Sequence, residues 1–130
     1  MPFETRTFTV AKDSAKPQEN QDAAACDPQR GVAALADGAS SSLQAGRWAR
    51  LLVKAVVAQP PDIAQATTFP PWLAAQREAW QSGIDEKSLA WHQKARLADG
   101  AFSTLLWLEL TESPECPTAL RAFALSLIHI

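Results

Sequence analysis

Alternating apolar runs and longer helical patterns succeed one another along the chain, and together they predict an α+β fold. Residues 3–10 alternate β-branched or aromatic residues with polar ones, which favours a strand with Phe8 and Val10 on one face. Residues 11–21 are polar, contain one proline and show no period, which is typical of a loop.

Two short apolar runs, residues 22–26 and 32–37, flank the segment Asp-Pro-Gln-Arg-Gly. Asp27, Pro28 and Gly31 suit a type I turn closed by a residue with positive φ, so we predict a β-hairpin. The alanines of both runs would by themselves also suit a helix. Pro28 and Gly31 would interrupt that helix at a length too short for nucleation, and the hairpin is therefore favoured.

A clear amphipathic helix follows the serines at 40–42. Ser41 and Gln44 have the spacing of a capping box, and the prolines at 60 and 61 end the helix. Its apolar positions recur at helical spacing and are Trp48, Leu51, Leu52, Ala55 and Val56. This pattern predicts one helix face packed against a core.

Two further helices are predicted, over residues 70–83 and residues 89–97. The first begins with two prolines, which are tolerated in a first turn, and the second takes Ser88 as its N-cap. Tryptophans recur along this region and could form an aromatic binding stripe. We favour the alternative that they bury one face of each helix, since aromatic residues dominate core energetics; they are Trp72, Trp80 and Trp91.

The C-terminal third reads as two strands joined by a polar turn. Residues 101–110 are almost continuously apolar, which predicts a central strand covered on both faces. Residues 119–125 start a strand that pairs back on it, and the sequence then stops at Ser-Leu-Ile-His-Ile. Because an unpaired apolar strand edge is a liability, we expect residues 126–130 to be a non-native or truncated end.

The composition of the chain argues against several classes of partner and of binding site. The chain has 130 residues, 12 Lys and Arg against 14 Asp and Glu, and no basic block, so neither nucleic acid nor a membrane is an expected partner. No run is apolar enough for a spanning helix or a leader, and we expect a soluble, cytoplasmic protein that forms one small domain or a piece of a larger one. Cys26 and Cys116 are too few for a disulfide scaffold or a four-ligand zinc site and are interpreted as reduced thiols.

The hairpin register gives the candidate chemistry. A turn centred between Gln29 and Arg30 places Asp22 opposite Asp37, with Cβ atoms ~4.5–5.5 Å apart. Two carboxylates at that distance repel unless a proton or a cation lies between them. Mg²⁺ or Mn²⁺ suits two carboxylates and the carbonyl of Gly38. The alternative is that Asp37 and Gly38 are only a turn signal and Asp22 only a loop acid.

Several segments of the chain, taken in order, resemble a known protein family. Glu-Asn-Gln-Asp-Ala at 19–23, the hairpin with Ala-Asp-Gly-Ala at 36–39, the helix after it and Gly-Ala-Phe-Ser-Thr at 100–104 occur in the order seen at the start of a protein phosphatase 2C (PPM-type) domain. The chain resembles that family over about residues 5–125. The resemblance implies the N-terminal part of an α-β-β-α sandwich with mainly antiparallel sheets, and hence a partial phosphatase domain over residues 1–125.

The same resemblance implies a hydrolase for phosphoserine or phosphothreonine on proteins, with two Mg²⁺ or Mn²⁺ ions and no covalent intermediate. Asp37 would bridge both ions, Gly38 would bind one through its carbonyl, and Asp22 would hold one directly or through water. Lys16 stands nearest to the family's phosphate-binding arginine. Gln21 replaces a frequent glutamate, and two later aspartates of the family have no counterpart, so we expect little activity from these residues alone. The rival interpretation is a pseudophosphatase or interaction module.

Overall fold

A computed structural model describes residues 3–10, 15, 20–39, 44–112, 115 and 118–129. Helices and strands contribute about equally, which confirms the α+β class. The strands are β1 (Asp22–Asp27), β2 (Val32–Gly38), β3 (Phe102–Thr111) and β4 (Ala119–His129), and the α-helices are α1 (Ala45–Ala58), α2 (Phe69–Ser82) and α3 (Trp91–Leu97). Residues 11–14 and 16–19 of the predicted loop and Ser41 of the predicted capping box lie outside the described residues.

The strands form one antiparallel sheet in the order β1-β2-β3-β4. The predicted hairpin joins β1 and β2, and Gly31 at its turn has a φ of 69°, which glycine adopts without strain. Asp27 also stabilises the turn, because its carboxylate accepts hydrogen bonds from the backbone N–H of Gln29 and of Arg30. The helical alternative for the alanines is therefore excluded.

The prediction of a strand over residues 3–10 is wrong. The segment has no regular secondary structure, and a backbone hydrogen bond from the Phe3 N–H to the carbonyl of Pro28 at 3.0 Å holds its start at the hairpin turn. Phe8 and Val10 are 88% and 82% exposed, so the described part of the chain does not cover them. A strand also needs a neighbouring strand to pair with, and the alternating pattern of residues 3–10 does not contain that information.

Helix α1 covers one face of the sheet, as its amphipathic pattern predicts. Its inner side chains are completely buried against the small residues of β2, which allow the helix to lie close to the sheet. The core that they form with the odd-numbered residues of β3 includes Trp48, Leu52, Val56, Leu105 and Trp107. The Trp48 indole N–H donates to the carbonyl of Ile128 at 3.0 Å, which fixes α1 to β4.

Helix α2 packs on α1 and begins one residue before the predicted position. Trp80 is buried, but Trp91 on α3 is 82% exposed, so the prediction that each tryptophan buries a helix face is wrong for Trp91. Helix α3 starts at Trp91, whereas the sequence predicts a start at Leu89. Ser88 belongs to the preceding 3₁₀ turn, where its hydroxyl donates to the carbonyl of Asp85 at 2.8 Å.

Strand β3 is central in the sheet as predicted, but the described helices cover only one of its faces. The other face of the sheet, which we call the open face, turns away from α1 and presents exposed leucines. Leu35, Leu106 and Leu120 are 56%, 41% and 61% exposed there. The apolar composition of β3 predicted cover on both faces, whereas the helices lie on one. Residues 126–129 continue β4.

Candidate metal centre

The Asp22–Asp37 pair lies at one end of the open face. Asp22 is the first residue of β1 and is directly paired with Asp37 near the end of β2, which confirms the predicted register. Next to this pair, the Gly38 N–H donates to the carbonyl of Gln21 at 3.0 Å. Hydrogen-bonded and non-hydrogen-bonded pairs alternate along an antiparallel ladder, so the two aspartates form a non-hydrogen-bonded pair, the type that brings side chains closest.

The two carboxyl groups interact directly. The pKa of Asp22 is raised above its usual value, first by burial, then by a side-chain hydrogen bond with Asp37 and by the negative charge of Asp37. Two directly opposed carboxyl groups repel when both are charged, and a proton or a cation between them relieves that repulsion. The geometry therefore favours either a proton or a positive ion at this point.

Gly38 has a structural reason to be glycine that the sequence did not show. A Cβ at this position would lie 2.6 Å from the carbonyl oxygen and 2.8 Å from the carbonyl carbon of Ala45 at the start of α1. Backbone atoms cannot move aside without shifting the helix. The N–H of Gly38 points towards β1, where it donates to the carbonyl of Gln21, the residue before Asp22.

Two further residues of the resembling segment are Lys16 and Gln21. Lys16, the predicted phosphate-binding residue, lies outside the described residues. Gln21 contributes a buried amide oxygen with no hydrogen-bond partner, while Asp22 beside it points to the opposite side of the strand. Among the described residues, no group of three or more His, Cys, Asp or Glu side chains is placed to hold a metal ion.

The structure adds two hydroxyl residues to the site. Ser103 and Thr104 of β3 lie beside the end of β2, with Thr104 paired to Asp37 and Ser103 paired to Gly38. In the sequence they appear only within the Gly-Ala-Phe-Ser-Thr segment at 100–104. Their signal there was two adjacent hydroxyl side chains at the start of a mostly apolar strand.

The donor set fits one hard divalent cation. Carboxylate and carbonyl oxygens are the ligands that Mg²⁺ and Mn²⁺ prefer, and Mg²⁺ is commonly held by one or two carboxylates while it keeps several waters. Asp22, Asp37 and the carbonyl of Gly38 can supply that set. The described part of the chain offers no comparable second group of acids for another ion.

Comparisons of the chain with protein-family models, with curated proteins and with solved structures found no match. No helix in the described ranges has the length and apolar character needed to cross a bilayer.

Proposed function

We propose that this chain carries the cation-binding part of a metal-dependent phosphoprotein phosphatase similar to the 2C type. Its substrate would be phosphoserine or phosphothreonine on a protein, hydrolysed with the help of two Mg²⁺ or Mn²⁺ ions. The observation that supports the proposal most is the directly opposed Asp22–Asp37 pair, next to the carbonyl of Gly38, at the end of two adjacent strands.

In this proposal the role of the chain's own residues is to hold a cation and to fix its position. Asp37 and Asp22 would hold a cation through their carboxylates, and the carbonyl of Gly38 would be a neutral oxygen ligand. A bound cation of this kind lowers the pKa of a coordinated water and offsets charge on the phosphoryl oxygens. The hairpin supplies a rigid base, because both acids stand on paired strands backed by α1.

A non-catalytic interaction module is the second candidate. Two observations favour it: the described residues provide two acids at the site and no third, and the open face presents exposed leucines next to it. Gln21 also brings no negative charge to the position after Asn20. An open apolar face of this kind is typical of a surface that another polypeptide covers.

Cation binding tests the site that both interpretations share. Mn²⁺ is titrated by calorimetry into the chelator-stripped chain at neutral pH, beside Asp37→Asn, Asp22→Asn and the control Asp99→Asn, an exposed acid in the turn after α3. We expect Asp37→Asn to weaken binding most, Asp22→Asn less and Asp99→Asn not at all. A wild-type chain that binds no Mn²⁺, or three variants that bind alike, would refute the metal site.

Hydrolysis of p-nitrophenyl phosphate separates the two candidates. The assay uses the protein made from the complete reading frame, with Mn²⁺ and with chelator. Mn²⁺-dependent turnover that Asp37→Asn abolishes supports the phosphatase. Cation binding without turnover favours the interaction module instead.

A further inference from the structure

Three oxygen-bearing side chains form a row across three strands of the open face. The strand register pairs Asp22 with Asp37 and Asp37 with Thr104, so all three project on the same side of the sheet. The next row along the face consists of Ala24, Leu35, Leu106 and Ala124. A threonine hydroxyl at the end of an apolar strand thus stands beside the acid pair.

The hydroxyls of β3 hold the peptide groups of Asp37. The backbone N–H of Asp37 donates to the Thr104 hydroxyl oxygen at 3.3 Å. On the other side, the fully buried Ser103 hydroxyl reaches the carbonyl of Asp37 at 3.1 Å and that of Thr104 at 2.8 Å. The main chain of Asp37 is therefore held by side chains as well as by the sheet.

Thr104 also lies at an irregularity of the sheet. Ser103 pairs with Ile128 but Leu105 pairs with Leu125, so β4 has one extra residue at the level of Thr104. A bulge interrupts the ladder and changes the direction of nearby side chains. Pairing with β4 therefore holds Thr104 less firmly than it holds the other residues of β3. The hydrogen bond between the Thr104 hydroxyl and Asp37 matters more for the position of Thr104 as a result.

We propose that Thr104 is a positioning residue of the acid-pair site, a proposal that rests on the cation-binding function proposed above. Its hydroxyl keeps the backbone of Asp37 in place, so that the carboxylate stays opposite Asp22 when a cation binds. Groups that hydrogen-bond to a metal ligand typically account for about 10–100-fold in metal affinity, and we expect the lower end of that range for a contact to the main chain.

The test compares Mn²⁺ affinity in the full chain for Thr104→Val, which keeps the side-chain shape without the hydroxyl, and Thr104→Ser, which restores the hydroxyl. Thr111→Val, at the exposed far end of β3, is the matched control. We expect Thr104→Val to bind about tenfold more weakly and Thr104→Ser to recover nearly wild-type affinity, with the affinity of Thr111→Val unchanged.

Thermal melts in chelator accompany the titrations, since a merely structural role would change the melting temperature and leave the affinity of the folded protein intact. If Thr104→Val is not folded at 25 °C, Thr104→Ala measured at 10 °C takes its place with the same expected weakening. Wild-type affinity in the folded variant, or no recovery with Thr104→Ser, would overturn the proposal for Thr104. Absence of Mn²⁺ binding in the wild type would instead refute the proposed function.

Discussion

Replacing one acid of the Asp22–Asp37 pair should stabilise the metal-free protein at neutral pH. The two carboxylates are directly opposed and exposed, so the dielectric constant that governs their repulsion is close to that of water. Two like charges ~4 Å apart in water repel by about 1 kcal/mol, and directly opposed like charges in sheets fall in the same range. Asp22→Asn removes this repulsion, and the introduced amide can donate to the remaining carboxylate.

The pH dependence has a definite sign. Partial desolvation of the Asp22 carboxyl, its hydrogen bond with Asp37 and the charge of Asp37 raise the pKa of Asp22 in the folded state, so the folded protein binds this proton more tightly than the unfolded chain does. That contribution to stability is complete below the ordinary aspartate pKa and is lost as the pH rises through the raised value. Wild type and Asp22→Asn should therefore converge in acid and separate towards neutral pH.

The assay is thermal unfolding in chelator across this pH range, with Asp99→Asn as a control for loss of one negative charge elsewhere. At pH 7 we expect Asp22→Asn to melt about 4 °C higher, the shift that about 1 kcal/mol gives in a chain of this size. Mn²⁺ at 100 times its dissociation constant adds about 2.7 kcal/mol to the wild type and should reverse the order. A lower melting temperature for Asp22→Asn in chelator would show that the acids are structural and that the reasoning is incorrect.

Two further outcomes follow from packing. Gly38→Ala should destabilise the fold by about 1–3 kcal/mol in urea unfolding, because its Cβ would meet the Ala45 carbonyl at 2.6 Å; unchanged stability would mean that α1 is free to shift. Trp80→Ala should cost about 3–5 kcal/mol and Trp91→Ala less than about 0.5 kcal/mol, since the first is buried and the second 82% exposed; equal losses would contradict the placement of α3.

The local chemistry of the chain was sufficient to predict the hairpin and the acid pair. Pro28 and Gly31 set the turn, the turn sets the register, and the register brings Asp22 and Asp37 together. Each of these steps depends on residues close in sequence. Helix α1 was predicted for the same reason, because its apolar period is contained in a single continuous segment.

Contacts between distant segments decided the rest. Whether residues 3–10 pair, whether Trp91 is buried and which face of β3 is covered all depend on where other elements pack, and the pattern of a segment does not contain that information. Gly38 is required by Ala45 only because α1 folds back onto the end of β2. Thr104 reaches Asp37 across 67 positions of sequence, and only strand pairing places its hydroxyl beside the acid pair.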